Sequence, residues 1–280
     1  MAYRLVALSI DGALLQSNGR INKSTKDAID YALKKNVSVC LYSSREYSAV
    51  RKVAKALKID SALVAHQGAY IASEPDKPLY VKRILEENTF ELVQFLESFD
   101  CQITLENEKF SVSNKAKKST LVKRNVWQRT QKLLYSQYFV ESLTEHLLEE
   151  QISPLKINVT FSQKQTAEDA AKAMRNIYDD VSIIMKDDYK MEITALGVSK
   201  WNGILYLAEQ LGINRSEIAV IGSAKDDLEA VQDAGIGIAM GNADSKVKEA
   251  AQWVTRSNDE NGVGYVIKEL LRHQRTSVIN

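Results

Sequence analysis

Short apolar runs that break into polar, serine- and aspartate-bearing turns and then into helical spacing recur along this chain, and that alternation constrains its fold more than any other feature. The first run, Leu5 to Leu8, ends in Ser9-Ile10-Asp11-Gly12-Ala13. After a polar helix-start signal, Ser24-Thr25-Lys26-Asp27, the residues Ile29, Ala32 and Leu33 have helical spacing. A second apolar strand, Val37 to Leu41, ends in Tyr42-Ser43-Ser44-Arg45, and the helix after it carries Val50, Val53, Ala54 and Leu57 on one face. A third, Ala62 to Ala65, runs into His66-Gln67-Gly68-Ala69. The pattern resumes from about residue 190, with Ile204, Leu205, Ala208 and Leu211 on a helix and a strand at Ile218 to Ile221. It predicts an α/β fold: a doubly wound, Rossmann-like parallel sheet covered by helices on both faces, which takes ligands at the carboxyl ends of its strands.

Between these stretches the rhythm changes. A helical run (Phe90, Leu92, Val93, Phe95, Leu96) precedes two short strand-like runs, Gln102 to Glu106 and Phe110 to Ser113. A basic helix follows, then a strand at Leu155 to Thr160, a helix at about Ala167 to Tyr178 and a strand at Val181 to Met185. The expected organisation is a core domain made of residues 1–80 and 190–280 and an α/β cap domain, 81–189, inserted after the third core strand.

Composition removes several classes of function. Lys and Arg number 37 against 36 Asp and Glu in 280 residues, so no global attraction to nucleic acid or membrane is implied. The apolar runs are too short to span a bilayer, and a strand beginning at Leu5 leaves no room for a leader, which points to the cytoplasm. Cys40 and Cys101 read as buried thiols in a reducing compartment. His66, His146 and His273 lie far apart without zinc-type spacing. The basic run Lys115, Lys117, Lys118, Lys123, Arg124, Arg129 and Lys132 reads first as a solvated helix face, with an anionic partner as the alternative. Tyr135, Tyr138 and Phe139 read as core or interface aromatics rather than a base-stacking platform.

In order and spacing, the motifs resemble those of the haloacid dehalogenase superfamily, Cof-type phosphatases. Motif I of that family is a strand ending in Asp-x-Asp-Gly-Thr, and here Ser9 stands at the first Asp, Asp11 at the second and Ala13 at the Thr. Motif II resembles Tyr42 to Arg45, with Ser43 at the phosphate-binding hydroxyl, Arg45 at the arginine and Ser44 in place of Gly. Gln67 stands where the family has Asn in Asn-Gly-Ala. Gly197-Val198-Ser199-Lys200 is similar to motif III, and Trp201 replaces a Gly. Motif IV, Gly-Asp-x-x-Asn-Asp, resembles Gly222-Ser223-Ala224-Lys225-Asp226-Asp227, so Ser223 takes a magnesium-ligand position. The segments Ala234 to Ala243 and Asn258 to Val263 extend the match.

The resemblance implies a magnesium-dependent phosphatase of small phosphorylated molecules, with a bacterial origin. The first Asp attacks phosphorus and ligates the metal, the second is the general acid/base, and phosphate sits on Ser43, Ser44, Arg45 and Lys200. The metal positions are Asp11, Ser223, Asp226 and Asp227. Two of the anionic groups are missing. A serine hydroxyl is neutral and needs a base to become a nucleophile, and magnesium prefers anionic oxygen, so weak or absent Mg2+ is expected. Three readings stay open: a catalytically impaired or inactive protein kept for binding phosphate or a phosphorylated metabolite, or for a regulatory or structural role; a residual magnesium-dependent phosphatase of small sugar or nucleotide phosphates; and a protein-interaction module through the cap, with an unknown partner. On the first reading, Lys200, Arg45 and Ser43 leave the pocket more positive than in relatives. Asp11 and Ser43 also have structural readings, as turn and helix-cap residues, and Lys200 with Asp227 as an ion pair. Trp201 either crowds the pocket or packs beside its helix.

Overall fold

A computed structural model describes residues 2–59, 62–74, 77–115 and 136–272. In chain order it contains β1 (Leu5–Ser9), α1 (Lys23–Lys34), β2 (Ser38–Tyr42), α2 (Tyr47–Ala56), β3 (Leu63–Ala65), β4 (Tyr70–Glu74), β5 (Lys77–Val81), α3 (Glu86–Glu97), β6 (Cys101–Glu106), β7 (Phe110–Asn114), β8 (Ser136–Val140) and α4 (Leu143–Glu149). Then come β9 (Lys156–Phe161), α5 (Lys164–Ile177), β10 (Val181–Met185), β11 (Lys190–Ala195), α6 (Lys200–Gln210), β12 (Ile218–Gly222), α7 (Leu228–Asp233), β13 (Ile236–Ala239), α8 (Ser245–Ala250), β14 (Trp253–Val254) and α9 (Gly262–Leu271). Two compact units emerge. One takes in the chain up to Arg45, Val50–Leu79 and everything from Ser199; the other takes in Glu46–Ala49 and Tyr80–Val198.

The first unit is built on an eight-stranded sheet ordered β14-β13-β12-β1-β2-β3-β4-β5. From β14 to β3 neighbouring strands are parallel, and β4 turns back antiparallel to β3. The central strand β1 is buried on both faces, Leu5, Val6, Ala7 and Leu8 being fully enclosed, which is why it reads as a continuous apolar run rather than an alternating one. α1 and α9 pack against each other, α1 burying Ala28, Ile29 and Ala32 while Leu33 lies at the rim. Because β12, β1 and β2 are parallel and adjacent, their carboxyl ends bring the turns after Gly222, Ser9 and Tyr42 side by side.

Gly237 is the tightest point of this unit. A Cβ there would stand 1.7 Å from the Val231 carbonyl oxygen, so β13 can lie against α7 only because the side chain is missing. Gly237→Ala should therefore cost about 3 kcal/mol, near the upper end for overpacking, read as a lowered denaturant midpoint.

The second unit holds a six-stranded sheet, β10-β11-β9-β6-β7-β8, with α3, α4 and α5 packed on it. All described neighbours in it are antiparallel except β7 and β8, which run parallel. Along β6, Cys101, Ile103 and Leu105 are buried while Gln102, Thr104 and Glu106 are less so, the alternation expected of a sheet with helices on one face only. Lys156 is buried between Glu106 and Glu192, at 3.5 and 3.2 Å. Tyr138 stacks on Phe110 and meets the His146 ring edge-on, as packing aromatics do.

Three elements depart from the sequence expectation. β11 pairs with β9 and β10, so Lys190–Ala195 belongs to the second sheet, and the boundary expected at residue 190 falls instead at Val198. The reason is hydrogen bonding: β10 and β11 form a hairpin whose register, Val181 opposite Ala195, keeps both in one sheet. β8 and α4 are short elements without a strong apolar period. Of the basic run only Lys115 is described; Lys117 to Lys132, and Tyr135, lie outside the described residues.

Candidate functional site

The candidate catalytic, phosphate-binding and metal positions marked in the sequence all lie in the first unit, at the carboxyl ends of β2, β1 and β12 or at the start of α6. Tyr42 organises the floor of this region. As the last residue of β2 it is fully buried, and its hydroxyl donates to the Ile221 carbonyl oxygen of β12 at 3.0 Å, reaching past the intervening strand β1. The Ser9 side chain, at the end of β1 and 2 % exposed, hydrogen-bonds this same hydroxyl. Burial, reinforced by the charges of Asp227 and Asp226, pushes the Tyr42 phenol well above its ordinary range, so it stays protonated. Ser9 is thus a neutral hydroxyl tied to a neutral phenol.

Asp11 points elsewhere. Gly12 follows it in a left-handed conformation (φ +69°), which turns the chain sharply. The turn is fixed by its carbonyls: Ser223 Oγ donates to the Asp11 backbone oxygen at 2.9 Å, and Asn242 Nδ2 to that of Gly12 at 2.8 Å. The Asp11 carboxylate meets Arg45, with Nε at 2.8 Å from Oδ2 and Nη2 at 2.5 Å from Oδ1. Ser43 Oγ accepts the Arg45 backbone N–H at 3.1 Å and lies 3.5 Å from Asp11 Oδ2. Ser44 is half-buried in the same turn.

On the other side of β1, the turn after β12 is closed by Asp227. This carboxylate is completely buried; its Oδ2 accepts the backbone N–H groups of Ser223 and Ala224 at 2.8 and 3.0 Å. Its Oδ1 lies 2.7 Å from Lys200 Nζ, and Asp226 Oδ2 lies 2.8 Å from the same ammonium. Burial alone would favour neutral Lys200, but Asp227 and Asp226 overcome it and hold the ammonium above its ordinary pKa. Lys200 begins α6, where Ser199 caps the helix by accepting the Asn202 N–H at 3.1 Å. Trp201 is buried beneath the Arg215 guanidinium, 5.7 Å from its ring. Arg215 precedes β12, whereas Ser223 follows it, so the indole packs away from the pocket end of that strand.

The structure therefore brings Ser223, Asp226, Asp227 and Lys200 together on one side and Asp11, Ser43 and Arg45 on the other. Both cations are in ion pairs, and three carboxylates face two cations. Gln67, following β3, has φ +62° and is buried, with no hydrogen-bond partner for Oε1 among the described residues. Two contributors were not marked from the sequence: Tyr42 and Asn242. A hydroxyl-bearing aromatic closing an apolar strand signals the first, because a buried phenol must find a partner.

A largely parallel sheet of this order, with its polar turns gathered at the carboxyl edge, is an α/β fold of the kind that takes ligands at that edge. The chain belongs to the haloacid dehalogenase-like hydrolase family, whose model matches residues 6–267. It is 42 % identical over 276 residues to the stress response protein YhaX of Bacillus subtilis, covering 98 % of this chain and 96 % of that one. It is 25 % identical over 265 residues to the 5-amino-6-(5-phospho-D-ribitylamino)uracil phosphatase YcsE of the same organism, covering 95 % and 94 %. A haloacid dehalogenase-like hydrolase of B. subtilis superposes with a TM-score of 0.83 at 22 % identity, over 96 % of this chain and all of that one. Among the described residues no helix is long and apolar enough to cross a membrane.

Phosphatases of this family generally depend on Mg2+. The donors here do not fit that ion well: Asp227 already takes two N–H groups and an ammonium, Asp226 shares that ammonium, the Asp11 carboxylate is on Arg45, and Ser9 and Ser223 are neutral. Among the described residues no group of three or more His, Cys, Asp or Glu side chains is arranged to hold a metal.

Proposed function

We propose that this chain is a haloacid dehalogenase-like protein without appreciable metal-dependent phosphatase turnover, which binds inorganic phosphate or a small phosphorylated molecule. Ser9 occupies the nucleophile position and Ser223 a metal-ligand position. The observation that carries this reading is the state of Ser9: a neutral hydroxyl, buried, hydrogen-bonded to a protonated Tyr42. Its nearest candidate base by sequence, Asp11, has its carboxylate engaged by Arg45. A serine without a base does not attack phosphorus, and phosphoryl transfer without a cation lacks its main charge compensation. Phosphate would sit on Ser43, Ser44, Arg45 and Lys200. A regulatory role accords with the stress-response name of the relative YhaX. We place the protein in the cytoplasm of a bacterium and assign residues 81–198 to the cap domain.

The alternative, a residual phosphatase of small sugar or nucleotide phosphates, is favoured by the phosphatase name of YcsE together with the retained Asp11, Lys200 and Asp227. Hydrolysis of an aryl phosphate, with magnesium and with chelator, separates the two. We expect no magnesium-dependent turnover above background and, in calorimetric titration, no tight stoichiometric Mg2+ binding. Turnover abolished by Ser9→Ala, or tight binding lost in Asp226→Asn, would establish the phosphatase instead.

A further inference from the structure

We propose that the Asp11 carboxylate is an internal occupant of the anion seat formed by Arg45 and Ser43, and that an external anion binds by displacing it. This rests on the reading that the pocket takes phosphate, and adds how the pocket is regulated. Arg45 grips Asp11 through Nε and Nη2, one on each carboxylate oxygen, at 2.8 and 2.5 Å. That two-pronged geometry is the one a guanidinium offers equally to two oxygens of a phosphate. Ser43 completes the seat. Its oxygen accepts the Arg45 N–H, which leaves its hydrogen to face Asp11 Oδ2 at 3.5 Å.

The two partners of the pair are unequally free. The Arg45 side chain is 20 % exposed and the Asp11 side chain 49 %, so the carboxylate is the partner that leaves into water at little desolvation cost. Its backbone need not follow. The Asp11 carbonyl is held by Ser223 Oγ, the Gly12 carbonyl by Asn242, and Gly12 already supplies the turn. Rotation about the Asp11 side-chain bonds is therefore enough to vacate the seat. Lys200 cannot act this way, because moving it would strand the enclosed carboxylates of Asp226 and Asp227.

Asp11 thus lowers anion affinity by competition and sets the ligand concentration at which the pocket fills. The test is the affinity for inorganic phosphate, measured with chelator present and at fixed ionic strength, in the wild type, Asp11→Asn, Arg45→Gln and the double variant. Asp11→Asn should bind phosphate about five- to tenfold more tightly, the worth of an exposed ion pair plus relief of charge repulsion. The gain should vanish in the Arg45→Gln background. If the wild type binds phosphate and Asp11→Asn binds no tighter, the plug is refuted while the binding reading stands. A gain that persists without Arg45 would also refute it, since it would be a through-space charge effect. If no variant binds phosphate, the binding reading itself fails and the plug with it. Asp11→Ala, which removes any residual amide contact to Arg45, serves as the second variant, with circular dichroism showing that each protein is folded.

Discussion

Lys200→Ala is expected to lower the unfolding free energy by about 3–5 kcal/mol, the cost of leaving buried charge without its partner. Lys200 Nζ lies 2.7 Å from Asp227 and 2.8 Å from Asp226, and the three side chains are between 0 and 4 % exposed. Without the ammonium, two carboxylates face each other in a site closed to water. Lys200→Met, which keeps most of the volume, should be nearly as harmful, showing that charge and not packing is lost. The linkage has a definite sign. The folded pKa of Lys200 lies above the ordinary 10.5, so the stabilisation is fully present below 10.5 and is lost only as pH rises through the folded value. Guanidinium denaturation followed by the fluorescence of the three tryptophans measures the effect. A loss below about 1 kcal/mol would show that the pair is not the keystone of this turn.

The second large effect is a gain. The double variant Ser9→Asp with Ser223→Asp should acquire magnesium-dependent hydrolysis of aryl phosphates at least about a hundredfold above the wild type, the range in which a single well-placed catalytic group acts. Both serines already stand at the ends of adjacent parallel strands, β1 and β12, and Ser223 Oγ is 2.9 Å from the Asp11 carbonyl oxygen. New carboxylates at these positions would meet Asp226 and Asp227 across the same pocket, and the crowding of negative charge gives a cation something to neutralise. The variant should accordingly be less stable than the wild type in chelator and recover stability with magnesium, whereas the wild type should show no magnesium effect. A folded, magnesium-stabilised double variant with no gain in hydrolysis would mean that the site has lost more than its two carboxylates.

The core strands along the chain were legible because each buried run is short and followed by a polar turn, although their order in the sheet was not. Ser9, Ser43, Arg45, Lys200 and Asp227 were marked by their resemblance to the family motifs, not by that rhythm. What stayed hidden was pairing. Sequence spacing cannot tell that Arg45 spends its fork on Asp11, or that Lys200 serves two carboxylates at once. The fate of Lys190–Ala195 was hidden for a related reason: an apolar strand looks the same whichever sheet completes its hydrogen bonds. β8, at an edge and half-exposed, carries too little apolar alternation to be seen. Trp201 was readable in only one respect, its size; the Arg215 stacking that settles its direction joins residues distant along the chain.

The bond from Tyr42 to the Ile221 carbonyl has a consequence for how the pocket meets its surroundings. It ties the two strands flanking Ser9 with uncharged groups sealed from solvent, so the floor keeps its shape across ionic strengths and through the neutral pH range. The rim, by contrast, is a half-exposed ion pair, which dissolved salt weakens. The molecule thus joins a stiff base insensitive to the medium with a border that dissolved salt can loosen.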